Sequence, residues 1–207
     1  MSVLAEMNAA ELLAGMEDAV EQVERRLARV TEALDKSGVP YAVIGGNAVR
    51  AWVWTVDHRA MRNTRDVDIL LERADLDAAA KVLTELGFTY RRSAGMTMFM
   101  DGEGEGAIDA VHVLFAGEKV RQSDPCPAPS VIDVERPKTF RVLKLEQLVR
   151  MKLVAFRRKD QTHLVDLINL KLIDNTWPAK YQPELASRLQ ELFDDDNERP
   201  LFKPHDD

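Results

Sequence analysis

The chain is expected to adopt an α/β fold: a small mixed β-sheet with helices packed on one face, completed by a helical C-terminal part. Three observations carry that expectation. Residues 41–47 (Tyr-Ala-Val-Ile-Gly-Gly-Asn) are a β-rich apolar run ending in two glycines and then a residue suited to an N-cap, which reads strand, tight turn, helix. Residues 66–71 (Asp-Val-Asp-Ile-Leu-Leu) form a second strand on which Asp66 and Asp68, two apart, share a face. Residues 96–100 and 107–115 are strand-like runs on either side of a loop with glycine at alternate positions, a hairpin pattern.

The elements follow in chain order. Leucine, valine and methionine recur at spacings of three and four over residues 8–36, so a long amphipathic helix is expected there, covering the sheet and stopped by Gly38 and Pro40. A strand at 41–45 leads to a helix from Asn47 that carries Ala48, Ala51 and Trp52; Trp52 and Trp54 read as core and rim packing. His58, Arg59, Arg62 and Arg65 lie on the loop before the acid-bearing strand. Asp75 is placed to cap a helix with Leu76, Ala79, Ala80, Leu83 and Leu86 on one side, and Gly87 to end it. Phe88–Tyr90 reads as a short extended piece, with Arg91 and Arg92 in a loop. Asp124–Ser130, rich in proline, marks a boundary. It separates a core of residues 1–123 from a C-terminal strand and helical part, 131–193. Within that part 131–142 is extended, helices are expected near 145–156, 164–172 and 181–193, and residues 194–207 form an acidic tail expected to be disordered.

Bulk properties narrow the class. At 45% apolar and 30% charged over 207 residues, the chain can bury a sizeable core. A net charge of −7 argues against a protein coated in nucleic acid, but the charge is unevenly distributed. Residues 1–36 carry eight acids and four bases, whereas residues 136–160 carry nine bases and two acids, a wall suited to phosphates. Cys126 is the only cysteine, so an internal disulfide is excluded, and a cytoplasmic location without a membrane partner is expected.

The chemistry is concentrated in the two opening stretches. Glycines at 45 and 46 let backbone N–H groups approach an anion at the mouth of the following helix. Two carboxylates on one strand face repel each other unless a cation sits between them, and magnesium with substrate phosphates completing its shell resolves the conflict. Phosphoryl or nucleotidyl transfer is the implied reaction class. Asp109 is a charge inside an otherwise apolar run, which calls for a partner. His112, three residues on, has the opposite strand parity to Asp109 and reads as a packed, hydrogen-bonded histidine. Lys152 interrupts an apolar helical surface, by snorkelling or by reaching for phosphate.

Gly45-Gly46, a helix, then Asp66-x-Asp68 flanked by aliphatic residues resembles the nucleotidyltransferase superfamily, whose fold is shared with DNA polymerase beta. The form Arg62-x-Thr64-x-Asp66-x-Asp68 is similar to the bacterial abortive-infection and type IV toxin branch. Residues 142–172 extend that likeness through Leu145, Leu148, Lys152, Lys159-Asp160 and Asp166-Leu167. The resemblance implies catalysis by Asp66, Asp68 and Asp109, the same three holding two magnesium ions. It implies nucleoside triphosphate contacts from Gly45, Gly46, Asn47, Arg62, Lys152 and Lys159, with Lys159-Asp160 alternatively a simple helix-start charge pair. The implied acceptor is a tRNA or protein hydroxyl, with an antitoxin as a further partner. Two alternatives stay open: an antibiotic nucleotidyltransferase of aminoglycoside or lincosamide type, and a non-catalytic nucleotide- or partner-binding module.

Overall fold

Strands β1 (Ala42–Val43), β2 (Val67–Leu71), β3 (Phe88–Ser93), β4 (Met96–Asp101), β5 (Ala110–Phe115), β6 (Val134–Glu135) and β7 (Val142–Leu143) form one mixed sheet in the order β3-β4-β5-β2-β1-β7-β6. Its helices are α1 (Ala9–Lys36), α2 (Gly45–Trp54), α3 (Leu76–Glu85), α4 (Leu145–Ala155), α5 (Arg158–Asn169) and α6 (Pro183–Glu198). This computed structural model describes residues 9–60, 62, 64–93, 95–102 and 110–198. Asp109, expected as a third site acid, lies outside them. No helix among the described residues is long and apolar enough to cross a membrane.

Strand parity divides the sheet into two unlike faces. β2 pairs with β5 in parallel, Val67 beside Val111 and Asp68 beside His112, and β4 pairs with β5 antiparallel, Met98 beside His112. Val67, Ile69, Leu71, Phe99, Val111 and Val113 therefore share one face, and all enter the main apolar core. The same core takes Val23, Leu27, Val30 and Leu34 of α1, spaced as one helical stripe. Val30 and Leu34 are fully buried, each contributing about 1.5–3 kcal/mol. Arg26 and Arg29 of the same helix reach Asp101 at 3.1 and 2.9 Å, anchoring α1 to the end of β4. The opposite face carries Asp68 and His112, with Met98, Met100 and Ala110 as a small separate apolar cluster beside them.

Several elements depart from expectation for identifiable reasons. Arg91 and Arg92 belong to β3, which spans six residues rather than three. That strand forms the sheet edge with only Phe88 buried, so it has no apolar alternation to read, and charged edge residues discourage further pairing. Helix α2 starts at Gly45, two residues before Asn47, so Asn47 is not its N-cap. A short 3-10 turn, Arg73–Asp75, precedes α3; the Asp75 side chain makes no capping bond, and Leu86 is exposed. The stretch 131–142 contributes only β6 and the first residue of β7 as strand. Helix α5 begins at Arg158, because its polar first turn is held by Asp160 in a capping box with Arg157. Helix α6 continues to Glu198, into the acidic stretch expected to be disordered.

Candidate nucleotide and metal site

β1 and β2 run antiparallel, Ala42 beside Leu70 and Val43 beside Ile69, so the end of β1 arrives at the start of β2 where the acids stand. The Ile44 amide donates to the Asp68 carbonyl at 3.0 Å. Gly45 then turns the chain with φ +68°, and a Cβ there would lie 2.0 Å from Asp68 Oδ2. Only glycine fits between that backbone and that carboxylate. A Cβ on Gly46 would meet Thr64 Oγ1 at 2.6 Å. Asn47 Nδ2 donates to the Asp66 carbonyl at 2.8 Å. The glycine turn and the acid-bearing strand are thus held together at consecutive positions, at the N-terminus of α2.

Each of the two acids meets one cationic or ionisable side chain. Lys159 Nζ, from the first turn of α5, lies 3.3 Å from Asp66 Oδ2. His112 Nδ1, from β5, lies 3.6 Å from Asp68 Oδ1. The Asp68 carboxylate raises the His112 pKa against the opposing effect of burial. At 3.6 Å the contact is an ion-pair approach rather than a full hydrogen bond. The Asp66 side chain is 39% exposed and that of Asp68 23%, so both remain open to a ligand from solvent. Among the described residues, no three metal-ligating side chains are gathered closely enough to cage an ion unaided. The donor set nevertheless suits a hard divalent cation completed by substrate phosphates: two carboxylates, one turned to a glycine cradle, with positive charge already drawn to them.

A family model described as an uncharacterised nucleotidyltransferase matches residues 2–191. The chain belongs to this nucleotidyltransferase family. Its mixed sheet and six described helices are the nucleotidyltransferase-like fold. Among solved structures it is similar to JHP933 from Helicobacter pylori, with 15% identity, 88% of this chain and 77% of that chain covered, and a TM-score of 0.50. Similar too is an antigenic nucleotidyltransferase-like protein from Paracoccidioides brasiliensis (16% identity, 87% and 89% covered, TM-score 0.49). The antibiotic-resistance factor ANT(2'')-Ia matches at 14% identity over 85% of this chain and 95% of that one, with a TM-score of 0.49. No curated protein matches.

The remaining expected residues of this nucleotidyltransferase family member are dispersed around the acids. Lys152 is buried and donates to Asp160 Oδ1 at 3.0 Å. Burial lowers the Lys152 pKa, with Asp160 and Asp68 opposing that effect. Burial would raise the Asp160 pKa, but the Arg157 hydrogen bond and the Lys152 charge more than reverse it and hold the carboxyl below its usual range. Arg62 makes a bidentate contact with Asp166, with Nη2 at 2.9 Å from Oδ1. Both line a small cavity with Gly46, Thr64, Arg50 and His163. Thr64 Oγ1 and His163 Nδ1 are buried without a hydrogen-bond partner among the described residues. Trp52 Nε1 donates to the Leu143 carbonyl at 3.0 Å, tying α2 to β7, while Trp54 stacks on His58 at 4.0 Å with Lys138 over its ring.

Asp66, Asp68, Gly45, Gly46, Asn47 and Lys159 therefore come together, while Lys152 and Arg62 are each engaged by a carboxylate of α5. His112, expected only as a packed, hydrogen-bonded histidine, faces Asp68. Its facing Asp68 follows from the β2–β5 register, and the only sequence signal was a polar residue in an apolar strand, which Asp109 also supplied.

Proposed function

We propose that the chain is a divalent-metal-dependent nucleotidyltransferase that moves a nucleoside monophosphate from a nucleoside triphosphate to a hydroxyl of tRNA or protein. One observation carries the reading: Asp66 and Asp68 stand at the start of a central strand against a glycine turn that leaves no room for a side chain. In the reaction the acceptor oxygen bonds to the α-phosphorus and its proton leaves. The bond from that phosphorus to the pyrophosphate oxygen breaks, and pyrophosphate is released.

The residues divide this work. Backbone N–H groups at the N-terminus of α2 receive the triphosphate, which the glycines allow to approach closely. Asp66 and Asp68 would hold magnesium, with Asp109 as the third acid of the proposed set. The metal supplies charge neutralisation at the transferring phosphorus and the leaving pyrophosphate. Asn47 holds the acid strand in place through the Asp66 carbonyl. Lys159 is close enough to Asp66 to exchange that carboxylate for a substrate phosphate. Lys152 acts from behind, keeping Asp160 and the first turn of α5 positioned.

Local charge favours an anionic acceptor. Lys159, Arg157 and Arg158 begin α5 beside the acids, and Arg62 and Arg65 precede them in the chain. A cationic aminoglycoside would meet like charge there, whereas an RNA backbone would be attracted. The test is incubation with each α-labelled nucleoside triphosphate and magnesium, in turn with total tRNA, cell extract and aminoglycosides. Label is expected on tRNA or a protein, and Asp66→Asn or Asp68→Asn should abolish it while the circular dichroism spectrum stays unchanged. Undiminished labelling by both variants would refute the assignment.

A further inference from the structure

We propose that His112 is a metal ligand of this site, joining Asp68 across the β2–β5 pair so that the centre binds its ion through mixed oxygen and nitrogen donors. The inference rests on the metal-dependent reading above and makes it more specific. Three features support it. The register sets His112 directly beside Asp68, on the same sheet face and opposite to Val67 and Val111. The ring nitrogen facing Asp68 Oδ1 stands at 3.6 Å, beyond a good hydrogen bond. Two donor atoms sharing a cation at bond lengths of about 2.0–2.2 Å are separated by about 3.0–3.5 Å, so a small closing movement brings these two to ligand spacing. Finally, Met98, Met100 and Ala110 form an apolar cluster on the same face, Met98 paired with His112 itself, so the polar neighbour of the imidazole is the acid pair.

Asp66 completes the protein's share when Lys159 transfers from it to phosphate. Full coordination is then reached only with substrate present. An imidazole added to the carboxylates changes which ions are preferred. Mg2+ keeps to oxygen donors, whereas first-row transition ions accept imidazole nitrogen, Mn2+ the least strongly of them. The site should therefore favour Mn2+ over Mg2+ more strongly than an all-carboxylate site would.

The experiment uses the full chain loaded with Mn2+ and inorganic pyrophosphate, which contains no nitrogen. Pulsed electron paramagnetic resonance then reads nitrogen directly bonded to the ion, and calorimetry reads Mn2+ and Mg2+ affinity. The expected result is a strong imidazole-nitrogen coupling in the parent protein that disappears in His112→Ala and His112→Asp. Mn2+ binding should weaken by about tenfold or more in His112→Ala, and His112→Asp should shift the preference toward Mg2+. Thermal unfolding of the metal-free variants checks that the fold survives. Mn2+ binding that is lost in Asp68→Asn but shows no directly bonded nitrogen would overturn the role of His112 and leave the metal-dependent reading standing. Nitrogen coupling that persists in His112→Ala would overturn it too, as would Mn2+ binding that His112→Ala leaves unchanged. Absence of any Mn2+ or Mg2+ binding by the parent protein would overturn both.

Discussion

Replacing Gly45 with alanine probes the contact between the glycine turn and Asp68, and the structure sets the size of the effect. Two costs add. An L-residue held at φ +68° is disfavoured by about 1–2 kcal/mol. The new Cβ would also fall 2.0 Å from Asp68 Oδ2, 2.8 Å from Cγ and 3.0 Å from its Cβ, so the carboxylate must swing away. Overpacking of that kind costs about 1–3 kcal/mol. Gly38 is the matched control: its φ is +70° and a Cβ there would meet nothing within 4 Å, so Gly38→Ala should show the backbone cost alone. In urea denaturation, Gly45→Ala should therefore lose about 1–3 kcal/mol more than Gly38→Ala. Adding Asp68→Ala removes the two closest clashing atoms and should recover most of that excess. Nucleotidyl transfer by Gly45→Ala should fall sharply, because Asp68 is displaced. Equal destabilisation by the two glycine substitutions, or no recovery in the double variant, would refute the close approach.

Three further outcomes follow from the geometry. Lys152→Met leaves Asp160 buried with Arg157 as its remaining cationic contact, and should destabilise by about 3 kcal/mol in urea denaturation; Lys152→Met combined with Asp160→Leu should recover most of it. Burial, helped by the Lys152 and Lys159 charges, lowers the His163 pKa to about 4, so on acidification the unfolded chain takes up this proton near pH 6.5 and the folded chain only near pH 4. Stability from this group is complete above pH 6.5 and falls between pH 6.5 and 4 by up to about 3 kcal/mol; His163→Phe should flatten that part of the curve relative to the parent, and an unchanged slope would contradict the assignment. Arg62 is 58% exposed, so Arg62→Ala should cost less than about 1 kcal/mol in stability. If Arg62 leaves Asp166 to hold the triphosphate, a fluorescent-nucleotide titration will weaken more than that.

Local pattern alone determined the α/β class, the long covering helix, the strand–glycine–helix unit and the pairing of Asp66 with Asp68 on one face. Each depends on backbone preferences and side-chain periodicity over a few consecutive residues, which is what one sequence can display. Tertiary structure decided the rest. The approach of Lys159 to Asp66 joins residues 93 positions apart, and the Arg62–Asp166 pair spans 104. Lys152 looked like a phosphate reach until α5 packed against α4 and brought Asp160 to it. The polar edge strand β3 beyond Tyr90 and the two-residue strands β6 and β7 owe their assignment to hydrogen bonds with partners, which leave no periodic trace in the chain. His112 shows the limit most clearly: parity says that it alternates, but only the register with β2 says that Asp68 is the residue it alternates towards.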